Sequence, residues 1–152
     1  MGASGAPSTD RDWGILGSAS DLQIAYAVFR ITLGVNIFFH GAMRLITGLS
    51  AWVETQGAAF IDTLLPMWSV HAFLYTLPFI EVVLGTLTAL GLLTRWALLG
   101  GSVMMFVLVF GNLMRQSWAT VGNNMHYVLY YCILIAALRY NWLALDNRSD
   151  AR

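Results

Sequence analysis

Apolar residues run in four long stretches along the chain, at about 22–46, 71–93, 96–116 and 126–145, with more polar connectors between them. A helix needs about 20 mostly apolar residues to cross a bilayer. The pattern therefore predicts an all-α fold, an integral membrane four-helix bundle. Residues 21–146 form its membrane domain, between an N-terminal tail at 1–20 and a short C-terminal tail at 147–152. In the longest connector, 47–70, Trp52, Phe60, Ile61, Leu64, Leu65 and Trp68 are interleaved with Glu54, Gln56 and Asp62. Too polar to span and too apolar for a free loop, it predicts an interfacial amphipathic helix between spans 1 and 2 that ends before Pro66. That helix either lids the bundle or serves only as an anchor.

Composition agrees with the pattern, since 58 % of the 152 residues are hydrophobic and 11 % charged, outside the usual range of a soluble globular domain. The polar, Gly/Ser-rich start carries Asp10, Arg11 and Asp12 in place of a basic segment and a short apolar core, which argues against a cleaved signal peptide. All eight basic residues are Arg and the formal net charge is zero, so neither a nucleic-acid footprint nor a polybasic lipid patch is present. Four spans bring both termini to one side, which collects Arg11, Arg95, Arg139, Arg148 and Arg152 against Arg44 and Arg115. The positive-inside rule then predicts a bacterial-type inner membrane protein with both termini cytoplasmic. The single cysteine, Cys132, allows no intramolecular disulfide or CxxC pair and reads as a small buried hydrophobe.

Charges inside apolar stretches carry the chemistry. At 100° per residue, Arg30, Asn36, His40 and Arg44 share about one third of the first helix's circumference. A charge at mid-bilayer costs at least a few kcal/mol unless paired or hydrated, so this stripe is expected to face the bundle. Glu81 sits about as deep in the second span, and an Arg30 to Glu81 ion pair is the expected arrangement, fixing helix register or serving catalysis. Pro78, one turn earlier, is expected to bend that span, and Gly85, Ala89, Gly100, Gly101 and Ser102 supply small faces for close packing.

His40, His71 and His126 fall near the non-cytoplasmic ends of three different spans, where they are expected to converge. With Asn36, Arg44, Asn123 and Tyr130, and with Asn112, Arg115 and Gln116 ending the third span, they would line a polar pocket opening outward. Such a pocket suits a quinone head group, which asks for donors to its carbonyls, a proton route and an apolar slot. His40 and His126 would hydrogen-bond the head group, Tyr130 and Asn123 orient it, and Arg44 favour negative charge on it. Haem between two histidines is the rival use of the same residues, although no HxxxH or HExxH spacing occurs. Tyr127, Tyr130 and Tyr131 read first as an aromatic belt.

The order Arg30, Gly34, His40, Gly41, Arg44, followed by Glu81, Gly85, Gly91, Thr94 and Arg95 in "IEVVLGTLTALGLLTRWALLGG", resembles the DoxX family of small four-helix membrane proteins. That family includes the membrane subunit of a thiosulfate:quinone oxidoreductase. The resemblance covers roughly residues 25–101, with an echo in "RYNWLALDN", and would make Arg30, His40, Arg44, Glu81 and Arg95 functional. It implies a membrane subunit of an electron-transfer system that interacts with quinone. No nucleotide-binding glycine loop, flavin fingerprint or cluster-ligating cysteine set is present, so electrons are expected from partner redox subunits. The alternatives are a non-catalytic structural subunit of a larger membrane complex and, behind it, a carrier or channel.

Overall fold

The computed structural model describes residues 19–149, all-helical with connecting turns and without strands among them. Ser20 opens α1 (Asp21–Ala58) through a capping box, its hydroxyl accepting from the Gln23 amide while the Gln23 side chain accepts from the Ser20 amide. At Gly48 the backbone leaves helical geometry at φ 118°, a conformation open to glycine, and the helix is kinked there. Pro66 precedes α2 (Met67–Leu90), which contains Pro78 and ends on Gly91 in the left-handed region, where only glycine is unstrained. Then come α3 (Thr94–Met114), α4 (Trp118–Ala136), a 3-10 turn (Leu138–Tyr140) and a short α5 (Asp146–Ser149).

Helices α1, α2 and α3 are long and apolar enough to cross a membrane. The fourth helix differs from expectation. It starts at Trp118 and ends at Ala136, because its first turns carry Asn123, Asn124 and His126, polar residues that mask a helical segment from a hydropathy reading. The connector also differs. Its helix is the part of α1 beyond Gly48, continuous with the first span across the kink, and it ends at Ala58, before Pro66. Val53 on this part is buried against Val70 and Leu74 at the start of α2, so it docks on the bundle.

Glycine sets how closely α1 and α2 approach. A Cβ on Gly34 would strike the Ala89 backbone, one on Gly85 the Phe38 backbone, and one on Gly41 the Pro78 carbonyl and the Glu81 side chain. These contacts fix an antiparallel register that puts Glu81 level with Gly41 and Arg30 level with Gly91. Across the bundle the Tyr131 ring of α4 packs closely against Gly101 of α3. Tyr26, Leu33, Ile37, Leu77, Leu98, Met104, Met105, Tyr131 and Leu134 form the main core. Cys132, expected to be buried, is exposed on the outer side of α4, since Tyr131 and Leu134 take the inward positions. Residues 1–18 of the N-terminal tail, with Arg11, and Arg152 lie outside the described residues; Ser20 of that tail belongs to the α1 cap, and the boundary drawn at 146 falls within α5.

Candidate functional site

Arg30 and Glu81 are both buried but do not pair. Eleven residues of α1 separate Arg30 from Gly41, the position level with Glu81, and at 1.5 Å per residue that is about 16 Å. The sequence depths of the two spans had suggested one level; the glycine contacts set another. Arg44, one turn beyond Gly41, takes the carboxylate of Glu81 instead. Glu81 is 3 % exposed in its side chain and Arg44 23 %, so the pair reaches from the interior toward the surface. The Arg44 guanidinium also lies 4.6 Å from the centre of the Trp52 ring, on the part of α1 beyond the kink.

Arg30 binds main-chain carbonyls. Its Nη1 donates to Thr88 at 2.6 Å and to Ala89 at 2.9 Å, and its Nη2 donates to Leu143. These are C-terminal carbonyls of α2 and one in the segment after α4, so the cation meets the negative end of a helix. Beside it, Asp146 accepts from the Leu93 amide at 2.7 Å and from the Thr94 amide and hydroxyl at 2.8 and 2.7 Å, capping α3 from a distant part of the chain. Burial raises the Asp146 carboxyl, but those hydrogen bonds, with Arg30 nearby, outweigh it and hold the group below its ordinary range. Arg95, in the first turn of α3, is exposed at this end.

At the Arg44 end, a cavity of about 340 Å³ lies between α1, α2, α3 and the start of α4. Its apolar wall includes Ile37, Phe73, Leu74, Leu77, Met105 and Leu108, and the part of α1 beyond Gly48 adds Trp52 and Gln56, with Phe60 from the following turn. Polar groups reach it from His40, Arg44, Glu81, Asn112, Arg115, Asn124 and Tyr127. His40 is an exposed residue that still lines the cavity, so the cavity reaches the outer surface beside α4. There the His40 and Tyr127 rings meet edge-on at 6.5 Å, and the Tyr127 hydroxyl donates to Asn36 Oδ1 at 3.1 Å. Arg115 Nε donates to Asn112 Oδ1 at 2.8 Å, while Asn112 donates to the Leu108 carbonyl at 2.7 Å.

The three histidines do not converge. His40 lines the cavity, His71 is exposed and lies over Gly57, and His126 is exposed on α4. Asn123, on the same face as His126, is exposed too, and Tyr130 packs edge-on against Phe29. The shared face of Asn123, His126 and Tyr130 is real, but α4 turns Thr120, Asn124, Tyr127 and Tyr131 inward. The signal that marks this face is the helical spacing that ends on Leu134, which is fully buried. Arg115 and Asn112 were legible from their spacing of three, which puts both on one side of α3. Among the described residues no His, Cys, Asp and Glu group is large enough to hold a metal ion.

The family model described as DoxX matches residues 25–112, from the start of the first helix to the Asn112 that lines the cavity. Neither a curated protein nor a solved structure matches the chain.

Proposed function

The chain belongs to the DoxX family of membrane proteins, and from that premise we propose that it is a membrane subunit of an electron-transfer system whose cavity takes a quinone head group. The observation that carries this reading is the cavity itself, with an apolar wall and a polar edge formed by His40, Arg44, Glu81 and Tyr127. Its volume is at the low end of small-molecule sites, enough for a one- or two-ring head group. His40, Gln56, Asn124 and Tyr127 offer hydrogen bonds to carbonyl oxygens, and Trp52 and Phe73 offer flat apolar faces. Quinone, when bound, would supply the carriage of electrons and protons between this subunit and the membrane pool.

The chain's own residues bind, orient and neutralise. Glu81 closes the inner end with a carboxylate that Arg44 balances, and His40 stands where the cavity meets the surface, placed to exchange a proton with the outside. Arg30 takes a supporting part, since its two terminal nitrogens are held by carbonyls at the other end. Asn123 and His126 leave the head-group site in this reading, and Asn124 and Tyr127 take their places. The excess of arginine at the Arg30 end supports a cytoplasmic side for that end in this reading.

The test is purification in mild detergent, extraction of bound quinone and an absorption spectrum. Stoichiometric quinone that is lost in His40→Ala, with helicity and yield unchanged, supports the reading. A Soret band would replace it with haem, and a protein without quinone sinks it. A second reading, an accessory subunit packed on a larger complex, draws on the exposed Asn123 and His126. Polar groups on a spanning helix ordinarily face protein, and tight co-purification that His126→Leu abolishes would favour it.

A further inference from the structure

The cavity lining carries two guanidinium groups, Arg44 and Arg115, and one carboxylate, Glu81. Arg44 is matched by Glu81, which leaves an excess of one positive charge at Arg115. Among the described residues Arg115 has no acidic partner. Its Nε is held by Asn112, and its guanidinium lies 5.5 Å from the centre of the Phe60 ring. Glu54 and Asp62, the acidic residues nearest to it in the connector sequence, are exposed and form no ion pair. The C-terminal end of α3 explains why a cation is tolerated here. It does not explain why that cation faces a largely apolar cavity, where unmatched charge is costly.

From this we infer that the cavity takes a small amphipathic acid, its anionic head group held by Arg115 and its apolar body lying against Trp52, Phe60, Phe73 and Leu74. Asn112 fixes the guanidinium through Nε and leaves both terminal nitrogens to meet two oxygens of a carboxylate or one ionised hydroxyl with its neighbouring carbonyl. A two-chain lipid is far too large for about 340 Å³, so the occupant is a free acid with a body of one or two rings. The inference deepens the quinone reading, because an acidic hydroxyquinone belongs to this class. It rests on that reading only for the choice of cavity.

The experiment measures quenching of tryptophan fluorescence in the purified full chain at pH 7 with four probes. These are 2-hydroxy-1,4-naphthoquinone and its neutral 2-methoxy analogue, and 2-naphthoate with its neutral amide. Each acid is expected to bind at least tenfold tighter than its neutral partner. In Arg115→Gln that ratio falls below threefold while the neutral probes bind as before, and Arg115→Lys recovers part of it. Equal binding of acid and neutral probes overturns the inference and leaves the quinone reading standing. Binding of naphthoate but of neither quinone supports the inference and ends the quinone reading; no binding by any probe removes both. A preference that survives Arg115→Gln, or naphthoate displaced by stoichiometric phosphatidylglycerol, overturns Arg115 as the anchor of a free acid.

Discussion

Glu81 is almost inaccessible, and Arg44 makes its charge tolerable. Removing one member of a buried pair leaves the other uncompensated, so Arg44→Ala is expected to destabilise the bundle by roughly 3–5 kcal/mol. A double-mutant cycle in detergent unfolding tests the pairing. Arg44→Ala and Glu81→Gln should be strongly non-additive, whereas Arg30→Ala and Glu81→Gln should add to within about 0.5 kcal/mol; the reverse result would restore the Arg30 pairing. That both charges would be buried was legible, because few other places suit an ionisable group inside an apolar run. Their partners were not, because register between antiparallel helices depends on which backbones touch. Gly34, Gly41 and Gly85 decide this in three dimensions.

The helices themselves depend on local signals of uneven strength. Ser20 with Gln23, Pro66 and Gly91 set three helix boundaries in the structure, which the hydropathy reading approached to within a few residues without using them. The start of α4 also follows a serine, Ser117, but its hydroxyl pairs with that of Thr120 and caps no backbone amide, and the polar Asn123, Asn124 and His126 hid the segment. Helix α3 lacks a side-chain cap from its own preceding residue and is capped by Asp146 instead. Loss of such a cap usually costs about 1 kcal/mol, and Asp146→Asn should lower stability by that amount at neutral pH. The folded carboxyl lies below its ordinary value near 3.8, so its contribution is full above that value and fades as pH falls through the lower folded one. Thermal unfolding of both proteins should show a gap at pH 7 that closes in acid; a gap that widens in acid would contradict the assignment.

For the molecule as a whole, α1 to α3 are apolar enough to span, and a crossing by the mixed α4 decides the side on which the segment after it lies. In a Cys132→Ser background, Ile61→Cys and Asn147→Cys should react with an impermeant maleimide from opposite sides, because three crossings separate them. Labelling from the same side would mean that α4 does not cross. The class of fold was readable from hydropathy, and a polar pocket at this end with His40, Arg44, Asn112 and Arg115 was readable from the residue pattern; its apolar wall was not, since that exists only where the part of α1 beyond Gly48 folds over the ends of α2 and α3. The hold of Arg30 on the Leu143 carbonyl has a consequence in time. The two residues are 113 positions apart, and at 5–20 residues per second the first is made roughly 6–23 s before the second. During that interval a guanidinium inside the first helix lacks one of its final acceptors. The nascent bundle therefore stays unfinished at that end until the segment after α4 leaves the ribosome, and a chain halted after α4 would leave Nη2 of Arg30 without its Leu143 carbonyl.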